Sequence, residues 1–366
     1  MNAIKVLIVD DSRLIQTVLN EILGSDGRFV VVGIAENPHE ARQLIKETDP
    51  DVLTLDVEMP KMNGIAFLKN LMRLRPMPVV MISTLTAKGA GVTLEAIELG
   101  AVDFVEKPSD LSQSIDHYRH EICEKVFAAS KVSRLKLLET QQRIRGEGQS
   151  SVTRSVTQSA PAQASLAIQR GVAAHRICAI GGSTGGLEAL SNMLRQVQFN
   201  GRECIVVCLH LPAGFTASYS RRLDSLLPID VKEAEHGDKL EQGCVYIAPG
   251  GLHMEVVKRA GAFCIRINDD EPVNRHKPSV DVLFDSVADC VGASAIGFIL
   301  TGMGRDGALG LKRMHEAGCM TYAQDEATAV VWGMPGAAAE IGAVIPENIA
   351  PLTKLSAYLT DYYQKK

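Results

Sequence analysis

KVLIVDDS, residues 5–12, decides how the first third of this chain reads. An unbroken apolar run that stops on two carboxylates describes a strand buried on both faces, delivering polar groups at its carboxyl end. Outward from it the pattern returns: FVVVGI (29–34), DVLTLD (51–56), PVVMIS (78–83) and VDFVEK (102–107) are further short apolar strands. Amphipathic segments lie between them. Within 13–24, Leu14, Ile15, Val18, Leu19 and Ile22 recur at helical spacing, and 64–74 and 88–99 are similar. Five strands, each with a following helix, predict an N-terminal five-stranded doubly wound parallel sheet. The last helix carries Ile115, Tyr118, Ile122 and Val126 on one face and is expected to run on past residue 130.

Residues 146–172 change character, to Gly, Ser, Gln, Thr and Ala without a sustained apolar period, the composition of a flexible linker. From Arg176 the alternation resumes. RICAI and ECIVVCLH read as strands and GLEALSNMLRQV as a helix. A β-rich patch around 244–268, a helix over 279–290, the strand AIGFIL (295–300) and a helix over 306–317 follow. The organisation expected is a first domain at 1–125, a helical extension and linker at 126–172, and a C-terminal doubly wound α/β domain at 173–366.

Bulk properties narrow the class. A chain of 366 residues suits two domains, and an apolar fraction of 46% fills ordinary cores. A net charge of -5 and a pI near 6.0 give no general attraction to nucleic acid or anionic membrane. No apolar run approaches the ~20 residues of a membrane span, and the N-terminus reaches acidic residues too soon for a signal peptide. A cytoplasmic chain that is not membrane-embedded is expected, with a monomer as the simplest state. The eight cysteines are scattered; Cys178, Cys204, Cys208 and Cys264 sit within apolar runs, and no CxxC occurs. They read as buried free thiols, not as a disulfide framework or zinc site.

In an open parallel sheet, ligands bind at the carboxyl ends of the strands. The residues expected there are Asp10-Asp11, Asp56, Ser83-Thr84 and Lys107-Pro108. Three carboxylates brought together repel one another and call for a hard cation, for which Mg²⁺ is suited. A carboxylate beside such an ion can attack phosphorus while Lys107 neutralises phosphoryl oxygens, and a hydroxyl at Ser83 can hydrogen-bond the product. The motifs VDDS (9–12), LDVEMPKMNG (55–64), MIS (81–83) and EKP (106–108) resemble the receiver domain of bacterial two-component response regulators. The resemblance implies Asp56 as phosphoacceptor, Asp11 as direct Mg²⁺ ligand, Asp10 acting through water, and the Glu58 backbone carbonyl completing the shell. It also implies Ser83 or Thr84 as switch hydroxyl, with Ser83 favoured by register, and Phe104 as the rotating aromatic.

The second decisive stretch is AIGGSTGG, residues 179–186. It fails the GxGxxG dinucleotide spacing, and it fails the P-loop because Leu187, not lysine, follows Gly186. It fits G-x-S-x-G over Gly181–Gly185, where glycines let a strand turn sharply into a helix and expose Ser183. The helix N-terminus then offers unpaired N–H groups to an oxyanion. A serine nucleophile needs a base and an orienting acid. His210 ends the next strand; His253, in APGGLHM, is its rival. Asp306, in the glycine-rich FILTGMGRDGALG, reads both as a helix N-cap and as the acid. The order Ser, His, Asp departs from the Ser, Asp, His of α/β-hydrolases.

IGGSTGG (180–186), HLPAGFTASYSRRL (210–223), YIAPGGLHM (246–254), KPSVDVLFDSVA (277–288), TGMGRDGALG (301–310) and AQDEATAVVWGMP (323–335) resemble the catalytic domain of the chemotaxis protein-glutamate methylesterases, and the whole chain resembles the two-domain enzyme. One departure is Leu209, where the family often has glutamine. The resemblance implies Ser183 as nucleophile, His210 as base and Asp306 as orienting acid, and no cofactor for the ester chemistry. Its substrate would be γ-glutamyl methyl esters, and glutamine amides, on the cytoplasmic helices of chemoreceptors. The chemotaxis histidine kinase would be the phosphodonor, and the receiver would cover the active site until phosphorylated. A DNA- or nucleotide-binding output is disfavoured by the acidic pI and the failed loop spacings, and a non-catalytic scaffold by the intact Ser183, His210 and Asp306.

Overall fold

The computed structural model describes residues 3–59, 63–84, 87–107, 115–133, 136–138, 140–142, 144 and 171–364. The linker expected at 146–172 therefore lies outside the described residues but for its last two. By contacts the chain divides into two compact units, Met1–Gln158 and Ser159–Lys366.

In the first unit the five expected strands are β1 (Ile4–Val9), β2 (Phe29–Ala35), β3 (Val52–Asp56), β4 (Val79–Ser83) and β5 (Asp103–Glu106). They are separated by α1 (Arg13–Ser25), α2 (Pro38–Thr48), α3 (Gly64–Leu74) and α4 (Ala87–Glu98), and α5 (Ile115–Ser130) follows. All neighbours pair in parallel in the order β2-β1-β3-β4-β5, so the order reverses between β1 and β3. That reversal is where a doubly wound sheet opens its ligand crevice. The interior strands carry no polar/apolar alternation because helices cover both faces: Val6, Leu7 and Ile8 are fully buried, as are Val52, Leu53 and Leu55. Ile15, Leu19 and Ile22 of α1 face this core, but Leu14, assigned to the same stripe by spacing, is 60% exposed. Tyr118, Ile122 and Val126 of α5 are buried, and α5 continues across residue 125. Beyond it, Gln141 Nε2 donates to Arg73 O (3.0 Å) and Ile144 is buried.

The second unit holds a seven-stranded sheet. Its strands are β6 (Ile177–Gly182), β7 (Cys204–Leu209), β8 (Asp230–Glu233), β9 (Cys244–Ile247), β12 (Ala295–Ile299), β13 (Met320–Gln324) and β14 (Ile349–Ala350). The order is β14-β13-β12-β6-β7-β9-β8, parallel throughout. The β-rich patch resolves into β9, inside the sheet, and a separate antiparallel hairpin of β10 (His253–Arg259) and β11 (Ala262–Asn268). The helices are α6 (Gly186–Arg195), α7 (Phe215–Asp224), α8 (Val280–Cys290), α9 (Ala308–Glu316), α10 (Met334–Glu340) and α11 (Leu352–Gln364). The buried apolar face of α8 joins the core through Val280, Leu283, Phe284 and Val287, beside Leu311 and Met314 of α9. Its first turn lies hard on β6: a Cβ at Gly181 would meet Val280 Cγ1 at 2.2 Å. All eight cysteines are free and six are buried, as apolar placement requires. Among the described residues no helix is long and apolar enough to cross a membrane.

Candidate active site

Register brings Ser183 and His210 together. Gly182, the last residue of β6, pairs with Leu209, the last of β7, so the two candidate residues leave adjacent parallel strands at the same level. Such strands lie ~4.8 Å apart, and His210 N donates to Gly182 O (3.4 Å). On the other flank of β6, Ser183 N donates to Thr301 O (3.0 Å), just past β12. After β6 and β7 the chain builds outward to β9 and β8, then returns to lay β12 on the opposite side, so Ser183 stands at the reversal of strand order.

The same local device follows each of the three residues. Gly185, Gly214 and Gly307 have φ of 75°, 79° and 84° and are the N-caps of α6, α7 and α9. A left-handed residue turns the chain from strand end to helix within a few positions, and glycine adopts it without a Cβ clash. Each candidate side chain is thereby presented beside a helix N-terminus.

Asp306 is not the N-cap expected of it; Gly307 holds that place in α9. Its carboxylate instead caps a different helix. Val280 N donates to Oδ2 (2.7 Å), Asp281 N to Oδ1 (3.4 Å) and the Ser279 hydroxyl to Oδ1 (2.7 Å), all at the start of α8. Asn274 Nδ2 adds a bond to Oδ1 (2.8 Å), and His210 Nε2 one to Oδ2 (2.7 Å). Burial alone would raise this acid. The His210, Asn274 and Ser279 hydrogen bonds outweigh burial and hold Asp306 well below the ordinary carboxylate range. An ionised carboxylate only accepts, so Nε2 of His210 carries the hydrogen when the ring is neutral. Nδ1 is then the bare nitrogen, and it is buried with no hydrogen-bond partner among the described residues. The ring is thus turned opposite to the usual triad, where Nδ1 faces the acid.

His253 drops out as a rival base. It is buried, its Nε2 meets Glu271 O (3.0 Å) and its Nδ1 accepts from Ser279 N (3.2 Å), the satisfied pattern of a structural imidazole. Sequence reasoning missed Asn274 and His276. His276 stacks on His210 with ring centroids 3.7 Å apart and planes within 10°. Both lie in DDEPVNRHKPS (269–279), a charged loop without periodicity. The loop before α10 was also unforeseen as a support: Val331 N donates to Thr301 Oγ1 (2.9 Å), Gly302 N to Val331 O (3.1 Å), and Gln324 Oε1 accepts from Thr301 N (2.8 Å).

In the first unit the carboxyl ends of β1 and β3 meet across the reversal. Oxygens of Asp10, Asp11 and Asp56 lie within 4.8 Å of one another, with Asp10 and Asp56 buried and Asp11 exposed. Lys107 Nζ is 2.9 Å from Asp10 Oδ2 and 2.9 Å from Asp56 Oδ2. Burial, with the Asp10 charge added, pushes Asp56 up to about 6 despite Lys107. Burial would lower Lys107, but Asp10 and Asp56 hold it above its ordinary value. Among the described residues, three carboxylates against one ammonium leave net negative charge on hard oxygen donors, a set that suits a small divalent cation. Glu58 N donates to Asp56 Oδ1 (3.2 Å). Ser83 is the buried end of β4, paired with Glu106 next to Lys107, whereas Thr84 is exposed with its hydroxyl 3.5 Å from Glu58 Oε2. Phe104 is buried, with Lys125 Nζ 5.1 Å from its ring centroid. Pro60, Lys61, Met62 and Pro108 of the quoted motifs lie outside the described residues.

Residues 6–119 match the family model of the response regulator receiver domain, and 178–359 that of the CheB methylesterase. A protein-glutamate methylesterase/protein-glutamine glutaminase of Saccharophagus degradans is 48% identical over 366 residues, all of both chains. One of Hahella chejuensis is 47% identical, over 98% of this chain and 96% of its own. The CheB methylesterase catalytic domain of Thermotoga maritima is 36% identical, covers 51% of this chain and 97% of its own, and superposes with a TM-score of 0.49. The chain belongs to the protein-glutamate methylesterase/protein-glutamine glutaminase family, enzymes in which a response-regulator receiver precedes a CheB methylesterase domain.

Proposed function

We propose that this chain hydrolyses γ-glutamyl methyl esters, and deamidates glutamines, on the cytoplasmic helices of chemoreceptors, by a Ser183–His210–Asp306 mechanism that phosphorylation of Asp56 accelerates. The observation that carries the chemistry is the His210–Asp306 bond of 2.7 Å, which leaves a bare, buried Nδ1 on a residue that follows β7 where Ser183 follows its neighbour β6. Ser183 Oγ attacks the ester carbonyl carbon as His210 Nδ1 takes its proton. The imidazolium is stabilised by ionised Asp306 and returns the proton to the departing methoxide, releasing methanol. Water then attacks the acyl-enzyme with the same base, restoring Ser183 and leaving glutamate. With an amide the proton goes to the departing nitrogen as the C–N bond breaks, releasing ammonia, so one site serves both reactions. Backbone N–H groups near Ser183 and Met303 would hold the oxyanion.

In the receiver, an Asp56 carboxylate oxygen attacks the phosphorus of the chemotaxis histidine kinase's phosphohistidine; the new P–O bond forms as the P–N bond breaks and the kinase imidazole leaves, while Lys107 neutralises phosphoryl oxygens and Ser83 donates to the product. Mg²⁺ would be held by Asp10, Asp11, Asp56 and the Glu58 carbonyl, supplying positive charge against the phosphoryl oxygens. The fit rests on the clustered carboxylates and Lys107.

The experiment is methanol release from methylated receptor membranes, with and without a small phosphodonor. Ser183→Ala is expected to lose about 10³-fold or more in kcat while folding normally. Wild-type turnover by that variant would remove the nucleophile assignment.

A further inference from the structure

The turn Val273–His276 touches both His210 and Asp306, and nothing in the proposed reaction uses it. Val273 and His276 exchange backbone hydrogen bonds (3.1 and 2.8 Å). Between them Asn274 and Arg275 both have positive φ, 53° and 68°, the signature of a two-residue I′ hairpin. Asparagine tolerates that conformation, but arginine adopts it rarely, so the turn is held by what it contacts.

Its contacts converge on the base. His276 lies flat on the His210 ring at 3.7 Å. Asn274 Nδ2 donates both to Asp306 Oδ1 (2.8 Å) and to Asp281 Oδ2 (2.7 Å). Asp281 Oδ1 is tied in turn by Gly310 N (2.6 Å), which links the turn to the α8–α9 contact. His210 needs such support. Its side chain is 7% exposed and makes one hydrogen bond, through Nε2, so rotation about that bond axis is not restrained by any second polar contact of the ring. A flat aromatic neighbour removes that freedom without occupying Nδ1.

We propose that His276 is a positioning residue of the methylesterase reaction: its ring, stacked on His210 and delivered by the 273–276 turn, keeps Nδ1 aimed at Ser183. The inference rests on His210 being the base. A stack works through ring shape and not through a proton, so phenylalanine serves where alanine does not. Misaligning a catalytic base costs up to ~10²-fold, and the loss is expected on kcat because His276 acts through the base on which it stacks.

The test uses the full chain with receptor membranes and a small phosphodonor, comparing wild type, His276→Ala, His276→Phe and His210→Ala. His276→Ala is expected to lower kcat about 10- to 100-fold with KM within about twofold, and His276→Phe to recover most of it. In ¹⁵N–¹H spectra the Nε2–H signal of His210 is expected to persist in wild type and His276→Phe and to broaden in His276→Ala. The proposal is overturned if His276→Ala works at the wild-type rate, if the two His276 variants are equally impaired, or if the change lies in KM. An active His210→Ala would instead bring down the base assignment itself, which separates the two failures.

Discussion

At the scale of single residues, two carboxylates show opposite electrostatics. Asp306 is buried, yet five donors surround one charge, so its ionised form is the stable one. Its folded pKa lies below the ordinary 3.8, so its stabilising contribution is complete above that value and is lost as pH falls below it. Asp306→Asn replaces one acceptor oxygen by a donor facing N–H groups. It is expected to cost about 2–3 kcal/mol in thermal unfolding of the catalytic unit, and about 10³-fold or more in kcat. Asp56 works the other way. Its folded pKa near 6 exceeds 3.8, so as pH rises from 3.8 through 6 its ionisation progressively destabilises the receiver. Asp56→Asn should therefore raise the receiver's Tm by a few degrees at pH 8 without divalent cation, and leave it unchanged at pH 4. Mg²⁺ should stabilise the wild type at pH 8 more than this variant. An Asn variant that melts lower at pH 8 would contradict the picture of unbalanced negative charge.

Among the elements, the repeated strand–glycine–helix junction makes a graded prediction. At Gly214 a Cβ would meet nothing within 4 Å, so Gly214→Ala carries only the left-handed backbone penalty, about 1–2 kcal/mol. At Gly307 the same atom would reach Val280 Cγ1 at 2.5 Å and Val280 Cβ at 3.0 Å. Gly307→Ala adds overpacking of about 1–3 kcal/mol and pushes apart Asp306 and the α8 turn that it caps. Chemical denaturation should rank Gly307→Ala below Gly214→Ala, and only the former should also lose methylesterase activity. Equal stabilities would mean that the α8–α9 contact yields freely. The helix assigned to 306–317 in fact starts at Ala308 because this junction occupies Asp306 and Gly307.

On the scale of the whole molecule, a receiver tethered to a catalytic unit would act on it at high effective concentration, and phosphorylation would need only to shift an equilibrium. Were the receiver to cover the active site until phosphorylated, as the family resemblance implies, deletion of residues 1–150 would raise basal methanol release; unchanged or lower release would exclude inhibition by the receiver. Phosphodonor should then have no effect on the truncated chain.

Local pattern by itself determined the alternation of buried strands and amphipathic helices, and with it the polar residues at the strand ends. A parallel sheet covered on both faces needs continuous apolar strands, and that need is written residue by residue in KVLIVD or CIVVCL. Ser183, His210 and Asp56 were legible for the same reason: each sits where an apolar run stops. What only the tertiary structure decided concerns partners far apart in sequence. Strand order is set by packing, and it places β12 beside β6 although more than a hundred residues intervene. Asp306 caps α8 instead of its own helix, His253 is spent on Glu271 and Ser279, and a loop without periodicity lays His276 on His210. Hydrogen bonding and ring stacking act across space at a few ångströms, and no spacing along the chain encodes them.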